Sequence, residues 1–202
     1  RAVCRVDGAA LARVPERGPL ILVGNHINFV EVPLVYTHLL PRPLTGLVKV
    51  ESFQGPLAFF FKLGNGIPIH RGLGKTGVVA ILKNGTSGRA VGLRADIDAL
   101  PMTEHNRFAH ASKHPGKMHA CGHDGHTAML LGAAKHLAKN RHFDGTVYLV
   151  FQPAEEGGAG ARAMIDDGLF ERFPMEAIFG AHNWPGYKVG TFGVSAGPMM
   201  AS

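Results

Sequence analysis

Residues 126–153, HTAMLLGAAKHLAKNRHFDGTVYLVFQP, decide how this chain is read. The first part, 126–140, has helical spacing: Met129, Ala133, His136 and Leu137 fall near one face of an amphipathic helix. GTVYLVFQP (145–153) is a short run of β-branched and aromatic side chains, which suits a buried strand. A helix followed by a buried strand is half of an α/β unit, and the same alternation runs outward in both directions.

Upstream, GVVAILK (77–83) and RAVGLRADID (89–98) read as strands, with NGTSG between them as a hairpin-like loop. Downstream, GAGARAMIDDGLF (158–170) reads as a helix and EAIFGAHNWP (176–185) as another strand. Strands alternating with helices predict an α/β sandwich whose site lies at the carboxyl ends of the strands. The first 72 residues carry their own alternation. PLILVGNH (19–26) is a predicted strand, FVEVPLVYTHLL (29–40) a short helix interrupted near Pro33, and TGLVKV (45–50) a strand. GPLAFFFKLG (55–64) is predicted helical, and GIPIHRG (66–72) is a strand running into a glycine turn. Glycines cluster at RGLGKTG (71–77). The expected organisation is therefore two partial α/β units, residues 1–72 and 73–202.

Composition narrows the function classes. The formal net charge is +6, and residues 1–72 hold 8 of the 21 basic and 4 of the 15 acidic side chains. A mild basic excess suits anionic substrates or a membrane surface, while the absence of a Lys/Arg block argues against a nucleic-acid-binding tail. Two cysteines, Cys4 and Cys121, make no disulfide framework and point to a reducing, cytoplasmic setting. No apolar run approaches the ~20 residues that span a bilayer; the longest, LAFFF at 57–61, is interrupted by Lys62. No signal peptide is visible, and a chain opening on Arg1 and closing on PMMAS is expected to be a fragment.

Twelve histidines are present, nine of them after residue 72. MHACGHDGH (118–126) packs three histidines, a cysteine and an aspartate into nine positions. Cys121 and His123 are two apart, so in an extended loop both would project to one face. Glu155 and Glu156 of PAEEGG (153–158) follow a predicted strand, where neighbours point opposite ways, so one could hold a metal while the other faces a bound water. His182, in GAHNWPG (180–186), ends the next strand and would reach the same edge. Cysteine, histidine and glutamate together form a mixed sulfur, nitrogen and oxygen donor set for zinc or manganese. His105, His110, His114, His136 and His142 are assigned to ordinary surface or structural roles.

RADIDALPM (94–102), MHACGHDGH, FQPAEEGGAGARAMIDDGLF (151–170) and GAHNWPG, in this order, closely resemble the amidohydrolase family of hippurate hydrolases, bacterial aminoacylases and plant auxin-conjugate hydrolases. The resemblance covers about residues 73–202 and implies an incomplete, zinc-peptidase-like three-layer α/β/α catalytic domain with two divalent metal ions. These would be zinc or manganese, with cobalt or nickel as alternatives. Carried over by motif position, Cys121 would bridge the two ions, with His123, Glu156 and His182 as further ligands and Glu155 as the catalytic carboxylate. Asp98 matches an aspartate that orients the site in related metallopeptidases, and Asp96 and Asp98 are supporting partners of the ligands. Asp124 and His126 are expected to position the loop. The chemistry implied is amide hydrolysis of a small N-acyl amino acid: a metal-activated water attacks, while Glu155 takes its proton and passes it to the leaving amine. The family adds one more ligand histidine downstream of GPMM and a lid and dimerisation domain, so turnover by residues 1–202 alone is expected to be impaired.

Residues 18–33, GPLILVGNHINFVEVP, resemble instead the first block of the 1-acylglycerol-3-phosphate acyltransferases, with His26 and Glu31 as a His-x4-acid dyad and Glu31 in place of the commoner aspartate. The acid would polarise the imidazole, which takes a proton from the acceptor hydroxyl. GNGIPIHRG (64–72) is similar to that family's second block, with Arg71 as a phosphate contact; its third block does not follow. The expectation is a chimera of two enzyme fragments. An acyltransferase, or an inactive remnant of both, is the alternative to the hydrolase. Peripheral membrane contact by residues 1–72, and self-association through unfinished sheets, follow as expectations.

Overall fold

The computed structural model describes residues 47–49 and 67–197. The chain divides into two compact units, Arg1–Gly66 and Ile67–Ser202. In the first, the described residues are strand β1 (Leu47–Lys49), inside the strand expected at 45–50. The elements expected at 19–26, 29–40 and 55–64, the LAFFF run included, lie outside the described residues.

The second unit contains, in order, β2 (Ile67–Leu73), β3 (Gly77–Asn84), β4 (Ala90–Asp96), α1 (His123–Lys139), β5 (Gly145–Gln152), α2 (Gly160–Asp166), α3 (Leu169–Arg172) and β6 (Ala177–Gly180). Its sheet runs β2-β3-β5-β4-β6. β2 pairs antiparallel with β3 and β3 antiparallel with β5, whereas β5, β4 and β6 are parallel. This unit begins at Ile67 rather than at residue 73, because β2 folds back on β3 with Ile69 opposite Ala80. The ends of β2, Ile67 and Leu73, are both buried.

Alternation along the strands builds two cores on one sheet. Ala80, Leu82, Val147, Leu149 and Phe151 face α1 and meet Leu130, Ala134 and Ala138. Val79 and Val150 face the other way, onto Met164 of α2 and Leu169 of α3. The result is a three-layer α/β/α arrangement, as the resemblance implies.

Three local expectations change. NGTSG is not a hairpin: β5 lies between β3 and β4, and the loop is tied to the start of β5 through Asp144, whose carboxylate accepts the Thr86 and Ser87 N–H groups at 2.8 and 2.9 Å. Helix α1 starts three residues before 126 and buries His123, His126, Leu130, Ala134 and Ala138, while Met129 is half exposed. Polar contacts made by the two histidines at the sheet edge set that rotation. The helix expected at 158–170 is two, α2 and α3, because Gly168 adopts φ 84°, a left-handed conformation open to glycine.

Candidate metal centre

Parallel β4, β5 and β6 end at one edge, and each is followed by polar residues: Asp98 after β4, Glu155 and Glu156 after β5, His182 and Asn183 after β6. Helix α1 opens at the same edge with His123 and His126, preceded by Cys121 and by Gly122, whose φ of 90° needs glycine.

His123 is the hub. It is 1% exposed, and its Nδ1 sits 2.9 Å from the Asp98 backbone carbonyl, to which it donates. That hydrogen bond puts the proton on Nδ1 and the lone pair on Nε2. Nε2 is buried without a hydrogen-bond partner among the described residues. It faces Glu156 Oε1 at 3.6 Å, Asp96 Oδ2 at 3.7 Å and Glu155 Oε2 at 3.9 Å. Cys121 Sγ lies 3.6 Å from His182 Nε2, and the His182 Nδ1 lies 2.7 Å from the Asn183 carbonyl, leaving Nε2 free to accept. Three groups bring their donor atoms within 4.8 Å of one another: Cys121 with His123 and His182; His123 with Glu155 and Glu156; Asp96 with His123 and His126.

An orphaned imidazole lone pair facing carboxylates, beside a thiol and a second imidazole, fits a divalent transition metal. The electrostatics agree. Glu156, hydrogen-bonded to the Cys121 thiol, together with burial and the charges of Glu156, Glu155 and Asp96, pushes that thiol up to about 11. A divalent cation held at this edge would offset the crowded carboxylates and take the Cys121 sulfur as thiolate.

The supporting residues are held firmly. Burial opposes ionisation of Asp98, but the backbone N–H groups of Glu155 and Glu156 outweigh it and hold the carboxyl below its ordinary range; the Glu156 N–H donates to Asp98 Oδ2 at 3.1 Å. Asp98 therefore meets His123 through its carbonyl at 2.9 Å, closer than its carboxylate at 3.4 Å. For Asp96, burial is likewise outweighed, by the His126 hydrogen bond and the Arg94 guanidinium, and its carboxyl is also lowered. Asp96 Oδ1 lies 2.6 Å from His126 Nδ1, and its Oδ2 accepts Arg94 Nη1 at 2.9 Å.

All seven residues expected here, Cys121, His123, Glu155, Glu156, His182, Asp96 and Asp98, lie at this edge, though not as the spacing suggested. His123 is in the first turn of α1, not in an extended loop with Cys121. Glu155 and Glu156 do not diverge: the strand has ended at Gln152 and Ala154 turns the chain at φ 51°, so both carboxylates come within 4 Å of His123 Nε2. His182 follows β6 rather than ending it. Asp124 only accepts the N–H of Gly125, while His126 is buried in the network. His105, His110, His114, His136 and His142 are exposed and belong to none of the three groups. Arg71 is exposed on β2, and His26 and Glu31 lie outside the described residues, so the acyltransferase-like reading rests on its motifs alone. Asn183, Gly122 and Gly125 were visible inside the quoted motifs, but nothing in their spacing showed that they meet.

Residues 92–197 match the model of peptidase family M20/M25/M40. The chain is 53% identical over 137 residues to a hippurate hydrolase of Campylobacter jejuni, covering 68% of this chain and 36% of that protein. It is 51% identical over 138 residues to an N-acetyl-L-cysteine deacetylase of Bacillus subtilis, covering 68% and 33%. Among solved structures, the YXEP protein of Bacillus subtilis, described as a dinuclear metal binding peptidase of this family, superposes with a TM-score of 0.61 at 48% identity, over 65% of this chain and 37% of that one. The chain thus spans about a third of the length of the curated relatives it matches.

Proposed function

Because this chain belongs to peptidase family M20/M25/M40, we propose that it carries the metal-binding edge of an amidohydrolase that cleaves the amide bond of small N-acyl amino acids. The observation that carries the reading is the buried Nε2 of His123, without a hydrogen-bond partner among the described residues and facing both Glu155 and Glu156.

Cys121, His123, Glu156 and His182 would hold two divalent ions, zinc or manganese. When bound, the ions supply Lewis acidity that polarises the amide carbonyl and lowers the proton affinity of a water. Glu155 and Glu156 divide their roles by constraint. Glu156 is the less exposed of the two side chains, 29% against 42%, and its backbone is tied to Asp98, which suits a ligand. Glu155 keeps its carboxylate open toward solvent beside the same imidazole, which suits a base that takes a proton at Oε2 and returns it to the departing amine. Asp98 fixes His123 in the tautomer that leaves Nε2 available.

The test combines elemental analysis of the purified chain with hydrolysis of N-acetyl and N-benzoyl amino acids, with and without chelator. About two equivalents of metal and chelator-sensitive release of free amino acid are expected. Hydrolysis that survives complete metal removal would sink the reading.

A further inference from the structure

Four residues of the two ligand motifs hold no ligand or acid–base role in the proposed function: Gly122, Gly125, His126 and Asn183. They meet. His126 is 2% exposed and lies 2.6 Å through Nδ1 from Asp96. Its Nε2 accepts the backbone N–H of Asn183 at 3.0 Å, and this is the bond that ties the two loops; the side-chain amide of Asn183 packs 2.8 Å from the same nitrogen without a proton to share with it. Behind Asp96 stands Arg94, which also donates through Nε to Gln152 Oε1 at 2.8 Å. A continuous polar chain therefore runs from the end of β5, through β4 and α1, to the loop that carries His182.

The Asn183 amide lies over the turn that carries Cys121. A Cβ on Gly125 would stand 2.8 Å from Asn183 Nδ2, and one on Gly122 would collide with Asn183 Oδ1. Gly122 needs glycine for its φ of 90° as well. Gly125 has no such need: it sits within α1, and among the described residues outside the helix Asn183 is the one its Cβ would crowd. The two glycines of CGHDGH, Gly122 and Gly125, form a cradle for an amide that arrives from 61 positions beyond Gly122.

We propose that Asn183 is a positioning residue: seated on Gly122 and Gly125 and locked by His126, it holds His182 against Cys121 and so couples the two ligand loops. The inference rests on the metal-centre reading above. Side chains that orient ligands from outside the coordination sphere typically affect metal affinity about 10–100-fold, and Asn183→Ala is expected to weaken zinc binding within that range.

Gly125→Ala separates positioning from folding. Alanine is the better helix former, so the metal-free chain should melt no lower, yet the methyl displaces the amide and zinc binding should fall about tenfold or more. In the Asn183→Ala background the same methyl has nothing to displace, and Gly125→Ala should leave zinc affinity unchanged. The measurement is zinc titration against a competing chelator for the parent chain, both single variants and the double variant, alongside metal-free thermal melts. If Asn183→Ala does not fold, Gly125→Ala decides by itself. Zinc affinity equal to the parent's in either single variant, or an equal loss from Gly125→Ala in both backgrounds, overturns the inference while leaving the metal centre intact. A parent chain that binds no zinc overturns the metal-centre reading and this inference with it.

Discussion

Cys121 Sγ lies 3.6 Å from His182 Nε2, although 61 positions separate the two residues. Each approaches from a different loop, and each presents a soft or borderline donor with few competing partners. In the proposed centre, removing either donor would take one ligand from the shared edge. Cys121→Ser and His182→Ala are each expected to lower bound zinc after dialysis against weak chelator, with affinity reduced by about tenfold or more. Metal content in Cys121→Ser equal to the parent's would remove the thiol from the ligand set.

The metal-free thiol of Cys121 is raised to about 11, first by its hydrogen bond to Glu156 and then by burial and the surrounding carboxylates. A raised thiol value means the neutral form prevails at neutral pH, so binding through sulfur must expel a proton. Zinc affinity should therefore rise by about tenfold per pH unit on account of this one proton, at every pH below the thiol's own value. Titrations in two buffers of different ionisation enthalpy read the released proton directly. Cys121→Ser should shed about one proton from the count.

Glu155 and Glu156 stand at 3.9 and 3.6 Å from the same imidazole nitrogen and predict opposite phenotypes. Glu155→Gln should keep its metal and slow amide hydrolysis by about 10²–10⁴-fold, the usual contribution of a positioned acid–base group. Glu156→Gln should lose metal first and activity as a consequence. Metal analysis and a hydrolysis assay on the same two preparations distinguish them.

Asp96, 2% exposed, is bonded to both His126 and Arg94. Asp96→Asn weakens hydrogen bonds to charged groups, and urea unfolding should register a loss of about 1.5–3 kcal/mol. The folded carboxyl is lowered relative to its ordinary value. Its contribution is thus fully present above the unfolded value of about 3.9 and fades as pH falls through the folded one. The parent chain should lose stability progressively below about pH 4, and Asp96→Asn should show a shallower acid dependence. Parallel acid profiles for the two would remove Asp96 from that transition.

The sheet was largely legible. The runs at 77–83, 89–98 and 145–153 became β3, β4 and β5, but the split of β5 into Val147, Leu149 and Phe151 on one face and Val150 on the other comes from the packing. Cys121, His123, Glu155, Glu156 and His182 are chemically conspicuous as candidate donors, and they lie at one sheet edge. Rotation of α1 was not legible: Met129 and Leu130 are adjacent and both apolar, and only contact with the sheet and the Asp96–His126 bond turn Leu130 inward. The insertion of β5 between β3 and β4 was hidden as well, because NGTSG has the composition of a hairpin turn whether or not the two strands pair.

By itself the sequence determined which stretches form strands and helices, which side chains are candidate donors, and membership of a metallopeptidase family. The tertiary structure decided which donors meet. Element type is written in the composition and periodicity of a short stretch of chain. Contacts across 57 or 61 positions depend instead on the parallel register of β4 with β5 and β6. That register brings Asp96, Glu155, Glu156, His182 and Asn183 to the mouth of α1, and no spacing within a single motif encodes it.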